Sequence, residues 1–76
     1  NVIIGVTIDY TWLGKVENEV RQSTYTIKDI DYTDDVTMYI YVPLDKKESF
    51  TEWMTELTNG QATIETVDTI FREIQQ

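Results

Sequence analysis

Seventy-six residues can hold one domain, with a thin stability margin because surface outweighs interior at this size. The absence of histidine and cysteine removes the commonest general base near neutral pH, the usual transition-metal ligands and any disulfide framework, so a non-catalytic chain without metal or cofactor, in a reducing cytoplasmic setting, is expected. Fourteen acidic against six basic residues give a net charge of −8, which repels phosphate backbones and anionic lipid, and no apolar run approaches the roughly 20 residues that cross a bilayer.

Asn1, rather than methionine, leads straight into a strand, as expected of a piece of a longer protein. Val2, Ile4, Val6 and Ile8 alternate with Ile3, Gly5, Thr7 and Asp9, which predicts a half-buried strand over about 2–9. Trp12, Leu13, Val16 and Val20 then share one helical face, flanked by Lys15 with Glu19 and Glu17 with Arg21, so a helix is predicted over about 11–22. The stretch TYTIKDIDY, residues 24–32, alternates imperfectly: Tyr25 and Ile27 are in phase, Ile30 and Tyr32 are not, and the break predicts a bulge. Thr33 to Asp35 supply a turn before the clean alternation of Val36, Met38, Ile40 and Val42 with Thr37, Tyr39 and Tyr41.

Pro43 closes that strand. Asp45, followed three residues later by Glu48, has the spacing of a capping box, so a helix from about 46 to 59 with an Asp45 N-cap is predicted. Phe50, Trp53, Met54 and Leu57 form its apolar stripe, and Asn59-Gly60 a left-handed stop. Ala62, Ile64 and Thr66 open a last strand. From Val67 onward, Ile70, Phe71 and Ile74 also fit a helical face, with continued strand the expectation. The order is that of an α+β, ferredoxin-like βαββαβ fold, in which two helices cover one face of a four-stranded antiparallel sheet whose first and third strands are central.

The acidic run Asp29 to Asp35 fails as a calcium loop, since Asp34 stands where the sharp turn needs glycine and Ile40 where a bidentate glutamate belongs. Glu48, Glu52 and Glu56 make an outward acidic stripe, and Trp12 and Trp53 belong with the core. Thr37, Tyr39 and Tyr41 point away from the helices and form the candidate interaction face, suited to protein docking. The alternative use of such tyrosines is stacking RNA bases, which the acidic charge and the lack of aromatics at Ile3, Gly5 and Thr7 oppose.

DYTWLGKVENEVRQ, with IDYTDDVTMYIYVP and FTEWMTELTNGQATIE behind it, closely resembles the C-terminal domain of bacterial YigZ/IMPACT-family proteins, a domain of unknown function. The resemblance spans about residues 3–66 and includes Asp9, Tyr10, Leu13, Gly14, Glu17, Tyr32, Val36, Phe50, Thr58 and Gly60. It implies a parent with an N-terminal IMPACT-type domain, a link to translation regulation, and a ferredoxin-like fold similar to late domains of elongation factor G, hence a ribosome connection. The expected partners are the parent's own N-terminal domain, another protein or a second copy, with an RNA- or ribosome-binding module as the alternative. Gly14 is read as a packing glycine, needed where the helix crowds a neighbour.

Overall fold

The computed structural model describes residues 1–69. Its elements are β1 (Val2–Ile8), α1 (Tyr10–Arg21), β2 (Thr26–Tyr32), β3 (Val36–Val42), a single 3-10 turn (Leu44–Lys46), α2 (Lys47–Leu57) and β4 (Thr63–Thr69). The strands form one antiparallel sheet in the order β2-β3-β1-β4. This is the ferredoxin-like α+β fold that the sequence predicts, with β1 and β3 central.

Alternation decides which side of the sheet is covered. Val2, Ile4, Val6 and Ile8 of β1 join Val36, Met38, Ile40 and Val42 of β3 in one buried cluster, which Val16 and Val20 of α1 and Phe50 and Met54 of α2 complete. Burying each such side chain contributes about 1.5–3 kcal/mol, and in so small a domain these few residues carry most of the stability. Trp12 and Trp53 are half-buried against the same cluster, as expected of core tryptophans. Tyr25, which precedes β2 rather than lying in it, packs edge-on against Phe50 at 5.0 Å and beside Trp53 at 5.9 Å between ring centroids. The strand therefore starts at Thr26 instead of residue 24.

The bulge expected in β2 is present: Ile27 pairs with Ile40 and Asp29 with Tyr39, leaving Lys28 as the extra residue. A second one lies in β4, where Ile3 pairs with Asp68 and Ile4 with Thr66, leaving Val67 over. Strand structure continues through Val67 to Thr69. The reading of Ile70, Phe71 and Ile74 lies outside the described residues.

Both helix starts differ from expectation. Asp9 ends the first strand one residue early and caps α1, its carboxylate accepting from the Thr11 amide at 3.1 Å and the Thr11 hydroxyl at 2.7 Å. Asp45 does not cap α2. Pro43 turns the chain sooner, and the Lys46 amide donates to the Pro43 carbonyl at 2.9 Å, so Asp45 sits inside a 3-10 turn while Lys46 precedes α2 without a side-chain cap. At its far end α2 stops as expected: Asn59 and Gly60 take positive φ of 54° and 79°, and the Gly60 amide reaches the Thr55 carbonyl at 2.7 Å. Thr58, fully buried, donates its hydroxyl to the Met54 carbonyl at 2.9 Å and accepts from the Ala62 amide at 3.1 Å, fastening the helix end to the approach of β4.

Gly14 is not a packing glycine. A Cβ built there meets nothing within 4 Å, because two residues from both Trp12 and Val16 is roughly 200° round the helix, on the solvent side. Gly14→Ala should therefore stabilise the chain by about 0.5–1 kcal/mol, raising Tm by a few degrees in thermal melts. A lowered Tm would mean that the site is crowded after all.

The Thr11 hydroxyl and then the Thr11 amide hold the Asp9 carboxyl below the ordinary aspartate value. A carboxyl that is more acidic folded than unfolded stabilises fully above its unfolded pKa and ceases to do so as pH falls through the folded value. Asp9→Ala should lower Tm at pH 7, and the gap from the parent chain should narrow on acidification below about pH 4. A gap constant with pH would refute the cap.

Candidate interaction face

The strand alternation that buries Val36, Met38, Ile40 and Val42 turns Thr37, Tyr39 and Tyr41 to the opposite side of the sheet, where all three are half-buried. Register then determines their neighbours, because directly paired residues share a face. Tyr41 lies between Thr26 and Ile3, Tyr39 between Asp29 and Gly5, and Thr37 between Asp31 and Thr7. Thr7 and Thr37 join hydroxyls at 3.0 Å. Thus the three residues singled out from sequence do form one continuous patch, in the centre of the sheet.

The floor of the patch is closed by its own side chains. A Cβ added at Gly5 would lie 2.9 Å from Val67 Cγ2, too close for both to stay in place, while Tyr39 Cε1 at 3.6 Å and Thr37 Cγ2 at 3.7 Å would be in ordinary contact with it. Ile3, although on the side away from the helices, is only 6% exposed. Val67, from the bulge, adds apolar surface at 45% exposure. The result is an aromatic and aliphatic surface of the kind that serves as a contact face.

Charge around this face is mainly negative, with Lys28 at the β2 bulge the one cation within its strands. Asp29 and Asp31 on β2 and Glu65, paired with Gly5 on β4, are exposed carboxylates in the same cross-strand rows as the patch. Among the described residues the cations are Lys15 and Arg21 on α1, Lys28 at the β2 bulge, and Lys46 and Lys47 at the start of α2. Arg21 is held by Glu17 at 2.8 Å, and Lys15 lies 5.6 Å from the centre of the Trp12 ring. Asp29 and Asp31 were missed from sequence because the β2 bulge decides which of the β2 acids share a face with Tyr39, and Glu65 because only pairing across β1 brings it into the row. The imperfect alternation around Ile27 and Ile30 was the available signal.

Elsewhere the surface offers less. Two shallow depressions of about 280 Å³ are lined by Arg21, Tyr25, Thr26 and Ile27, and by Lys47, Glu48, Thr51 and Glu52. Neither includes the central tyrosines. Glu48, Glu52 and Glu56 are exposed on α2, as expected. At the β2–β3 turn, the Thr33 amide and hydroxyl both donate to the Asp35 carbonyl, and the Tyr10 hydroxyl donates to the Thr33 carbonyl at 2.6 Å, tying α1 to the turn. No helix among the described residues is long and apolar enough to cross a membrane.

Comparison with known proteins fits this architecture. A solved structure described as a hypothetical protein superposes with a TM-score of 0.73 over 88% of this chain and 32% of its own, at 18% identity, which supports the fold alone. IMPACT family member YvyE of Bacillus subtilis (strain 168) is 48% identical over 62 residues, covering 82% of this chain and 29% of the relative. The chain thus spans about a third of the length of the proteins it matches. The family described as "Domain of unknown function (DUF1949)" matches residues 6–61. With most of its length inside that match, the chain belongs to the DUF1949 family and is a domain of the IMPACT-family kind.

Proposed function

We propose that this domain is a non-catalytic docking module, whose uncovered sheet face, centred on Thr37, Tyr39 and Tyr41, seats against the remainder of a longer IMPACT-family protein. The observation that carries the reading is the face itself: the Tyr39 and Tyr41 rings and Val67 form an aromatic and aliphatic surface on the side of the sheet that neither helix covers. Tyrosine serves such contacts well because its ring buries apolar area while its hydroxyl still reaches water or a rim acceptor. The relatives' extra length, about two thirds of each matched chain, supplies candidates for what covers it. In this reading the domain is an intracellular accessory to a parent acting in translation regulation, an extension drawn from the resemblance to IMPACT-family proteins.

An RNA- or ribosome-binding role would use the same tyrosines as a stacking platform. The carboxylates Asp29, Asp31 and Glu65 beside them favour the protein reading, since phosphate contacts need lysine and arginine.

Two measurements test the proposal. Tyr39→Ala/Tyr41→Ala should keep the parent chain's circular dichroism yet weaken association with the remainder of the parent protein, supplied as a separate chain, by about 1–2 kcal/mol in calorimetry. Unchanged affinity in a folded double variant would remove the face from consideration. Fluorescence anisotropy with generic single- and double-stranded nucleic acid at physiological salt should show no binding. Micromolar affinity that weakens with added salt would instead establish the RNA reading.

A further inference from the structure

The sheet register arranges the open face in rows that run across all four strands. The middle row reads Asp29, Tyr39, Gly5, Glu65, and the next reads Asp31, Thr37, Thr7, Thr63. The middle row therefore has a carboxylate at each end and an aromatic centre. Strands lie about 4.8 Å apart, so the two ends of a four-strand row are separated by about 14 Å. Asp29, Asp31 and Glu65 are exposed, and none takes part in an ion pair among the described residues, where Arg21 with Glu17 is the pair formed. β1, β3 and β4 contain no lysine or arginine, and β2 contains only Lys28.

We infer that the occupant of this face is a basic protein surface, one with lysine or arginine groups about 14 Å apart on either side of an apolar centre. The inference rests on the docking reading above and specifies the partner's chemistry. Charge complementarity selects this occupant over the others. A second copy stacked on the same face would bring Asp29, Asp31 and Glu65 against carboxylates of their own kind, and a nucleic acid would bring phosphates against them. A wholly apolar partner would leave the carboxylates desolvated without a counter-charge.

The test compares three forms of the chain at 50 and 500 mM salt, each titrated with the remainder of the parent protein as a separate chain: the unaltered sequence, Tyr39→Ala/Tyr41→Ala, and Asp29→Asn/Asp31→Asn/Glu65→Gln. The triple change is close to isosteric, and asparagine at 29 can still accept the Ile30 amide that Asp29 Oδ1 accepts at 2.9 Å, so circular dichroism should show an intact fold. The unaltered chain should bind about tenfold more weakly at high salt, and the triple variant should be weaker at low salt by a similar factor and nearly indifferent to salt. A triple variant that binds as tightly, with the same salt dependence, overturns the basic-partner inference, while a weakened tyrosine variant in that same experiment keeps the docking reading. Tyrosine replacement without effect, or no binding by the unaltered chain, overturns both. Sedimentation showing a dimer that Tyr39→Ala/Tyr41→Ala abolishes would assign the face to a second copy instead.

Discussion

The pairing of β1 with β3 is the constraint on which the rest of the domain depends. Residues from Val2↔Val42 to Ile8↔Val36 run in unbroken register, and each strand presents an apolar side chain to the helices at every second position. A slip of one residue would move Val36, Met38, Ile40 and Val42 to the outer face and bring Tyr39 and Tyr41 under the helices. The helices lie where the buried stripe is, and the two outer strands attach to edges that this pair provides.

The same register creates the outer face as a by-product of the inner one. At its centre, Gly5 leaves room that the Val67 side chain of β4 takes up, so what reads in sequence as a gap in β1 is filled from a neighbouring strand. A surface assembled from four strands is held by the ladder rather than by loops, and a partner meets it already in its final arrangement.

How much of this was legible in the sequence follows from the range of the interactions involved. Alternation in β1 and β3 and the stripe of Phe50, Met54 and Leu57 are local patterns imposed by one large core, so the elements and their order could be read directly, as could the Asn59-Gly60 stop. Asp45 and Gly14 were misread for local reasons that the sequence does contain. Pro43 competes with Asp45 to start the helix, and the angular position of Gly14 relative to Val16 already places it outward. The site was half legible: Thr37, Tyr39 and Tyr41 follow from alternation alone, whereas Asp29, Asp31 and Glu65 become their neighbours only through pairing across strands. The extra residues Lys28 and Val67 shift that pairing, and no local pattern locates the second of them.

Those two extra residues have a consequence for the molecule's company. Among the described residues β2 and β4 are the edges of the sheet, and in a crowded cell sheet edges invite fibrillar addition or exchange of strands between copies. Each edge is interrupted once, at Lys28 and at Val67, where the ladder kinks, the local twist increases and a straight intruder loses its run of hydrogen bonds. The nearby Asp29, Asp31 and Glu65 add repulsion between like copies. A chain guarded at both margins in this way steers would-be associates away from backbone templating and toward recognition by side chains, where the identity of the visitor can be discriminated.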